Sequence, residues 1–311
     1  MNQNLASGKD HVSAADLASG KDRLSASDLA SGKDHGQENF PVASWLVRPD
    51  ARAPILAYYK FARAADDISD HETATPETKL RLLAQMRAGL LGRVGGSESG
   101  NAAPEALALR AVAINRNLDL THASDLLDAF EQDVTQLRYT DWDDLIAYCR
   151  KSAMPVGRWV LDVHGEDRAT WPLSDALCAA LQVINHLQDC GKDYRALNRV
   201  YIPEPQLAAA NLTPEILGGP ASPPELLAII RDLTRQTRAL LATSAPFASR
   251  IRDTRLACEV AVIQRLAEDL CRLLETRDPL VGGVHHTKPR AASLATGAIL
   301  RTLTNRLFHH A

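Results

Sequence analysis

Two groups of aspartates, spaced alike but far apart in the chain, have the residue types best suited to chemistry. The first holds Asp66 and Asp70, with Asp67 between them, and the second holds Asp189 and Asp193. Residues four apart lie on one face of an α-helix, so each group would bring like charges together. A divalent cation relieves that repulsion, because Mg²⁺ binds a few carboxylates while sharing its shell with phosphate oxygens. The pattern predicts two acidic helix faces that hold a diphosphate through metal.

Amide and cationic side chains near these aspartates strengthen the prediction. Gln182 and Asn185 precede Asp189 by seven and four residues, so all three share a helix face where an amide oxygen could complete a metal site. The nearby cations are Arg63, Lys192, Arg195 and Arg199. Carboxylates, Mg²⁺ and cations together stabilise a departing diphosphate, so we expect these groups to share one site.

The remainder of such a site must protect the carbocation that is left when diphosphate departs. Apolar helix walls exclude water, and aromatic rings attract positive charge. The aromatic candidates are Tyr58, Tyr59, Phe61 and Tyr148. We therefore expect a long apolar pocket beneath the acidic residues, with ordinary core packing as the alternative role for each ring.

The composition predicts an all-α fold, a helical bundle around a central cavity. Hydrophobic residues make up 45% of the 311, enough for a packed core, and Ala and Leu, which favour helix, are abundant. Thr75-Pro76 has the pattern of a helix start, and Met154-Pro155 predicts a kink within a helix. We expect helices over 52–70 and 173–193, each ending at its aspartates, and no run alternates convincingly enough for a strand.

Three segments are expected along the chain. The motif Leu-Ala-Ser-Gly-Lys-Asp begins at Leu5, Leu17 and Leu29, and a twelve-residue repeat is too short to bury a core of its own. We predict a disordered extension over residues 1–30, with only the third copy needed by the fold. A helical domain over 31–290 and a basic amphipathic tail over 291–311 complete the chain.

Charge and cysteine content exclude several classes of protein. The net charge of −3 gives no reason to expect nucleic acid as a partner. The five cysteines show no C-x-x-C spacing, which favours buried free thiols in a reducing cytoplasm over disulfides or zinc. No apolar run reaches about 18 residues, and no basic start precedes an apolar stretch, so we expect neither a membrane span nor a secretory signal. The tail, with Ile299, Leu303 and Leu307 on one side, could pack against the body or lie on an anionic membrane at its inner face.

Longer motifs around both groups of aspartates resemble those of the squalene/phytoene synthases. Residues 61–70 resemble the first aspartate motif of that family, and 181–203 resemble the second. Residues 148–157, beginning Tyr-Cys, are similar to a segment between the two. The resemblance spans roughly residues 32–290 and implies an isoprenoid synthase fold that acts on prenyl diphosphates.

Within the family, the chain resembles the HpnC type of bacterial hopanoid pathways through residues 31–35, 38–44, 149–157 and 185–190. This resemblance implies a hydroxysqualene synthase that ionises presqualene diphosphate, rearranges the cation and captures it with water. It implies Mg²⁺, or Mn²⁺ in its place, and no NADPH. It also allows for partner enzymes of the same pathway.

The resemblance also implies roles for individual residues. The implied catalytic set is Asp66, Asp70, Asp189, Asp193 and Tyr148. The implied metal ligands are Asp66, Asp70, Asn185, Asp189 and Asp193, with Asp67 supporting them. The implied diphosphate-binding set is Arg63, Lys192, Arg199 and Tyr201. Further pocket candidates are Gln182 at the metal, Tyr59 in the wall, and Glu38 and Asn39 as residues that position the water.

Two alternatives stay open at this point. A squalene or phytoene synthase would condense two prenyl diphosphates head to head, although the absence of a tyrosine between Ile251 and Glu275 departs from the common pattern of such enzymes. A non-catalytic assembly factor would keep the fold and lose the aspartates, whereas Asp66, Asp70, Asp189 and Asp193 are all present here.

Overall fold

The fold consists of helices throughout the residues that the computed structural model describes, namely Leu29, 47–93 and 103–309. The α-helices in these segments are α1 (Pro49–Ser69), α2 (Pro76–Leu91), α3 (Pro104–Arg116), α4 (Thr121–Thr135), α5 (Trp142–Ser152), α6 (Met154–His164), α7 (Trp171–Leu197), α8 (Glu204–Ala209), α9 (Pro224–Ser244), α10 (Phe247–Arg250), α11 (Thr254–Thr276) and α12 (Lys288–His309). Short 3₁₀ turns occupy Arg168–Thr170 and Pro214–Gly218. No strand occurs within these ranges, so the all-α prediction is confirmed.

Helix starts follow the local sequence. The Thr75 hydroxyl accepts a hydrogen bond from the Thr78 N–H (3.3 Å) and Pro76 opens α2, which confirms the predicted cap. The predicted kink is a complete break, because Ala153 leaves helical geometry between α5 and α6. The expectation that the second long helix ends at its aspartates was wrong. α7 continues one turn past Asp193 to Leu197.

The end of α7 has a specific cause. Asn198 adopts a left-handed conformation (φ 53°), which asparagine tolerates better than most residues. The N–H of the next residue, Arg199, then donates back to the carbonyl of Asp193 (3.3 Å). The Asn198 N–H itself donates to the Tyr194 carbonyl (3.0 Å), four residues back. This is the αL pattern of helix termination, and it turns the chain beside the second group of aspartates.

Two apolar cores support the long helices. One core lies among α1–α4 and includes Phe61, Leu83 and Leu127. The other is formed mainly by α7, α9 and α11 and includes Ile184 and Leu270. The helices α5 and α6 contact α4 on one side and α7 on the other, so they join the two halves.

The helix α1 is fixed in direction by contacts in its first half. Pro54 has no N–H to donate to the carbonyl of Asp50, and Arg116 of α3 donates to that oxygen instead (Nη2–O 2.8 Å). The Trp159 indole of α6 donates to the Pro54 carbonyl (3.3 Å) and stacks on Tyr58 at 4.9 Å. These contacts aim the far end of α1, which carries the first aspartates.

Several smaller predictions can be placed on the structure. The five cysteines are free thiols; Cys178 is half-buried and the other four are buried. Leu29, which begins the third repeat copy, packs in the core of α1–α4. The division of the chain at residues 30 and 290 stays a prediction. None of the helices in the described ranges combines the length and apolar character needed to cross a membrane.

Candidate active site

The first group of aspartates lies in the last turns of α1. Arg63 contacts Asp66 (Nη1–Oδ2 2.9 Å) and Asp67 (Nη2–Oδ1 2.6 Å), so one guanidinium joins two neighbouring carboxylates. Asp67 is buried, whereas Asp66 and Asp70 are half-buried. Tyr59, predicted as a wall residue, shares this half-buried face with Arg63 and the outer aspartates.

The second group lies on one stripe of α7. Its half-buried members are Gln182, Asn185, Asp189 and Asp193. The residues between Asn185 and Asp189 are all buried, so the stripe is the polar edge of an otherwise buried helix. Lys192 is exposed, and its Nζ lies 3.8 Å from Asp189 Oδ2. The predicted alignment of these four polar residues on one helix face is therefore present.

Arg199 physically joins the two groups. Its guanidinium donates to Asp70 Oδ1 (Nη1, 2.6 Å) and to the Ser69 carbonyl (Nη2, 3.1 Å) at the end of α1. Its backbone N–H bonds to the Asp193 carbonyl, as described for the end of α7. Since one residue contacts both helix ends, the two groups of aspartates lie side by side.

The electrostatics of the site agree with this proximity. The pKa of Asp193 is raised to about 7, first by burial, then by the charge of Asp189, and further by Asp70 of the other group. Burial, followed by repulsion from Asp70, raises the pKa of Asp66 to about 7, although Arg63 opposes the shift. The Asp66 side chain is 34% exposed, yet burial is the largest cause of its raised pKa. A side chain that lines a recess combines these two properties, because protein surrounds it on most sides while its tip still meets solvent.

Behind the aspartates lies a buried carboxylate that the sequence analysis missed. Asp133 of α4 accepts hydrogen bonds from the hydroxyls of Tyr148 (2.9 Å) and Tyr201 (3.4 Å). Its backbone carbonyl accepts a third from Arg199 Nε (3.1 Å). Burial raises the pKa of Asp133 to about 6, and Arg199 is the main opposing influence. The sequence did carry a signal for a buried carboxylate, because Asp133 shares a helix face with the apolar Leu126 and Ala129.

Three residues with predicted roles toward the substrate have their polar atoms engaged by the protein itself. Tyr148, predicted as catalytic, and Tyr201, predicted to orient diphosphate, direct their hydroxyls to Asp133. Arg199, predicted to contact diphosphate, is buried and has protein oxygens on all three of its guanidinium nitrogens. The contacts within the protein show these side chains holding the site together, while their roles toward a substrate stay predictions.

His186 is a second residue that the sequence analysis did not single out. Its ring stacks on Tyr201, with centroids 3.4 Å apart, and lies 5.8 Å from the ring of Tyr148. Burial, followed by the charge of Arg199, lowers the pKa of His186 to about 3, so the ring is neutral. Its Nε2 is buried without a hydrogen-bond partner in the described part of the chain. The sequence did carry a signal for this residue, because a histidine that lies among apolar residues such as Ile184 and Leu187 indicates a buried polar group.

The donor set fits a divalent cation that the substrate helps to bind. No group of three His, Cys, Asp or Glu side chains in the described ranges lies close enough to hold one ion. Mg²⁺ commonly takes only one or two protein carboxylates and completes its shell with phosphate oxygens and water. The Asn185 side-chain oxygen is buried and has no partner within those ranges, on the stripe where a neutral ligand was expected. Glu38 and Asn39, the predicted water-positioning residues, lie outside the described residues.

Comparison with solved structures defines the class of fold as that of the squalene-synthase-type isoprenoid synthases. A crystal structure of squalene synthase HpnC from Alicyclobacillus acidocaldarius superposes with a TM-score of 0.64 at 28% identity, covering 81% of this chain and 92% of that one. A dehydrosqualene synthase solved with a ligand shares the fold with a TM-score of 0.70 at 20% identity, covering 93% of this chain and 99% of the other.

The chain belongs to the squalene/phytoene synthase family, whose family model matches residues 33–293. It is therefore an enzyme of isoprenoid synthesis, as the sequence motifs predicted. Curated relatives named hydroxysqualene synthase include one from Rhodopseudomonas palustris, 52% identical over 88% of this chain and 92% of its own length. Another, from Sinorhizobium fredii, is 47% identical over 88% of this chain and 92% of its own. A phytoene synthase from Pseudescherichia vulneris is 32% identical over 58% of this chain and 60% of its own.

Proposed function

We propose that this protein is a hydroxysqualene synthase, which converts presqualene diphosphate and water into hydroxysqualene and diphosphate. The observation that carries the proposal is the junction of the two acidic helix ends through Arg199. Such a junction would let one diphosphate be flanked by carboxylates from both helices. Three curated relatives named hydroxysqualene synthase, 47–52% identical over most of this chain, support this reaction over others in the family.

Mg²⁺ would be held by the outer aspartates of both groups together with Asn185, while Mn²⁺ would suit the same oxygen ligands. When bound, the metal supplies Lewis-acid stabilisation of the charge that develops on the leaving diphosphate. Asp67 and Arg63 keep Asp66 in place through the contacts already described. Gln182, one turn before Asn185, lies where it can hydrogen-bond to the same ligand shell.

The cations around the site have separate tasks. Arg63 and Lys192 carry positive charge toward the place where diphosphate would sit, and each already pairs with an aspartate of the site. Arg199 acts mainly by fixing Asp70 beside Asp193, because its own donors are engaged by protein oxygens. Tyr201 and Tyr148 act through Asp133, which orders the wall next to the helix ends.

The reaction requires that water be excluded until the last step. Breaking the carbon–oxygen bond of presqualene diphosphate leaves a cyclopropylcarbinyl cation, which rearranges before capture. A water molecule then forms the new carbon–oxygen bond, and its proton passes to the released diphosphate. The half-buried face of α1 continues from Arg63 to Tyr59 and Leu56, which supplies an aromatic and an aliphatic wall for this cation. No hydride enters this sequence, so NADPH is not required.

Product analysis tests the reaction. Purified protein is incubated with presqualene diphosphate and Mg²⁺, with and without NADPH, and the products are identified by mass spectrometry. We expect hydroxysqualene in equal amounts under both conditions. Squalene that appears only with NADPH would contradict the proposal.

A parallel incubation with farnesyl diphosphate alone tests the alternative of a complete head-to-head synthase. Accumulation of squalene or of a carotenoid precursor would support that alternative. No diphosphate release from any isoprenoid substrate would support the assembly factor.

We also place the reaction in the cytoplasm, with the enzyme in peripheral contact with the inner face of the membrane and close to enzymes of the same pathway. The lipid character of the proposed substrate and product supports this location, because both partition into bilayers.

A further inference from the structure

We infer that the outer face of α12 is a docking surface for an anionic lipid bilayer. This surface, called here the α12 face, consists of Leu300, Leu303, Leu307 and Phe308. The inference rests on the proposed peripheral contact with the membrane and names the surface that makes it. It is tested by vesicle binding in the absence of substrate. Its failure is therefore distinguishable from failure of the proposed chemistry.

The α12 face is a concentration of exposed apolar side chains. Leu300 is 60% exposed, Leu307 is 74% exposed and Phe308 is 76% exposed. Leu300, Leu303 and Leu307 follow one another at three and four residues, so they project from one side of the helix. The opposite side, with Leu294, Ala298 and Thr302, is half-buried and packs toward α11. An apolar stripe that stays exposed on the described part of the fold is typical of an interaction surface.

The helix is held firmly at both ends, so the stripe is presented in a fixed orientation. Near its start, Arg290 makes a two-pronged contact with the buried Asp269 of α11 (2.6 and 2.7 Å), and His286 Nε2 lies 3.1 Å from the same carboxylate. Near its end, Arg306 donates to the Arg252 carbonyl and to the Thr254 hydroxyl, both at 3.1 Å. The helix therefore runs antiparallel to α11 as a bound part of the body.

The charge around the face selects an anionic partner. The sequence from Pro279 to Ala311 contains no Asp or Glu, whereas the whole chain carries a net charge of −3. Its basic residues are Lys288, Arg290, Arg301 and Arg306. Arg290 and Arg306 contact the body as described, whereas Lys288 and Arg301 are exposed.

A groove of about 1100 Å³ between α11 and α12 is lined by Arg250, Arg252 and Arg265 together with Glu268. Arg265 pairs with Glu268 (3.1 Å) and Arg252 with Glu166 (3.6 Å), so of these three arginines Arg250 is the one without an ion pair in the described ranges. Apolar residues beside clustered arginine and lysine match the acyl boundary and the anionic headgroups of a bilayer.

The chain offers a matched control on α3. Leu107 (40% exposed) and Ile114 (63% exposed) are also apolar residues on a helix surface, and they are spaced by seven residues as Leu300 and Leu307 are. The double substitutions Leu300→Glu/Leu307→Glu and Leu107→Glu/Ile114→Glu therefore change charge and apolar area alike at two different places.

The experiment measures the binding of the full chain to vesicles by flotation. Mixed phosphatidylcholine–phosphatidylglycerol vesicles are compared with pure phosphatidylcholine, at low and high salt. We expect binding to the anionic vesicles, weakened by salt. The α12 double variant should lower the partition coefficient at least about tenfold, because two large apolar side chains no longer enter the interface. The α3 double variant should bind as the wild type does, and Arg301→Gln should cost about fivefold.

Circular dichroism and melting curves establish that each variant is folded before it is compared. Equal binding to neutral and anionic vesicles, or equal binding by the α12 double variant and the wild type, would overturn the inference. Light scattering tests the other possible occupant of the α12 face, a second copy of this chain, by measuring the oligomeric state. A wild-type dimer that the α12 substitutions convert to monomer, without a change in vesicle binding, would assign the surface to a second copy of this chain.

Discussion

The two groups of aspartates look alike in sequence but differ in how the protein balances their charge. In the first group, Arg63 pairs with Asp66 and Asp67, and Arg199 pairs with Asp70. In the second, the one ion pair found in the described ranges is the exposed Lys192 at 3.8 Å from Asp189, and the side-chain oxygen of Asn185 has no partner there. Exposed ion pairs of that length contribute little.

This difference indicates which group depends more on an added cation. The first group has an arginine beside each aspartate, although burial and the charge of Asp70 still raise the pKa of Asp66 to about 7. The second retains repulsion between Asp189 and Asp193, which contributes to the raised pKa of Asp193. The α7 stripe is therefore the part of the site where a divalent cation relieves most strain.

The largest expected effect is loss of turnover when the second group loses a carboxylate. Asp189→Asn should lower the rate of diphosphate release by about a thousandfold, because a Lewis-acid contact is worth several kcal/mol of transition-state stabilisation. Release of inorganic diphosphate under saturating substrate measures this. Asp232→Asn, which removes a carboxylate paired with Arg235 on α9, serves as the control and should keep full activity. Wild-type turnover by the Asp189→Asn protein would remove the second group from the mechanism.

The next largest effect is expected when the first group loses Arg199, the residue that holds Asp70 beside the end of α7. Arg199→Lys should lower the free energy of unfolding by about 2 kcal/mol, since lysine cannot reproduce the three directed contacts of the guanidinium. It should also lower activity, because Asp70 loses its anchor to the end of α7. Urea denaturation and turnover measure the two effects.

Arg87→Lys is the matched control for Arg199→Lys. Arg87 of α2 also bridges two carboxylates on a neighbouring helix, Asp128 (2.7 Å) and Glu131 (3.0 Å) of α4. Its substitution should lower stability and leave turnover per folded molecule unchanged. An equal loss of turnover in both variants would mean that Arg199 has no special place in the site.

A smaller effect is expected at the buried carboxylate behind both groups. Tyr148→Phe removes the 2.9 Å hydrogen bond to Asp133 and should lower the free energy of unfolding by about 1–2 kcal/mol, because a buried acceptor loses a donor. Chemical denaturation measures it against Tyr194→Phe, a half-buried tyrosine on α7. An unchanged free energy of unfolding would show that the Tyr148–Asp133 contact is not formed in solution.

The smallest effect is a dependence of metal-free stability on pH. The pKa values of Asp66 and Asp193 are raised to about 7 from the 3.8 of an ordinary aspartate. Between about pH 4 and 7 the folded protein therefore holds more protons at these two residues than the unfolded chain does, and Asp133, whose pKa is raised to about 6, adds to the excess. The lowered pKa values of His186 and His286 act in the opposite direction but through fewer groups, so stability falls as the pH rises through this window. Mg²⁺ competes with those protons, and it should raise the melting temperature more at pH 8 than at pH 6. Melting curves with and without EDTA measure this, and a rise in metal-free stability from pH 5 to 7 would contradict it.

The sequence predicted the parts of this molecule that depend on local patterns. The helix start at Thr75-Pro76 and the polar stripe of α7 follow from capping and helical periodicity, and both are present. Proline chemistry located the irregularity at Met154-Pro155, although the structure has a break between two helices where a kink was predicted. The all-α class followed from composition and helical patterns, and the family from long motifs that occur in the expected order.

What the sequence did not predict depends on contacts between distant helices. Asp133 and His186 look like isolated polar residues in apolar helices, and they become part of the site only because α4, α5 and α7 bring Tyr148 and Tyr201 against them. The family resemblance implied that Arg199 is a diphosphate ligand, whereas its position beside Ser69, Asp70 and Asp133 arises from the turn at Asn198.

The account rests on the two groups of aspartates acting as one site, and a double-mutant cycle tests this most directly. Binding of Mg²⁺ with inorganic pyrophosphate is measured by calorimetry for the wild type, Asp66→Asn, Asp189→Asn and the double variant. We predict a coupling free energy of about 1 kcal/mol or more between the two substitutions, because both residues would hold the same pyrophosphate through metal. Losses that add to within about 0.5 kcal/mol would show two independent sites and would contradict the account.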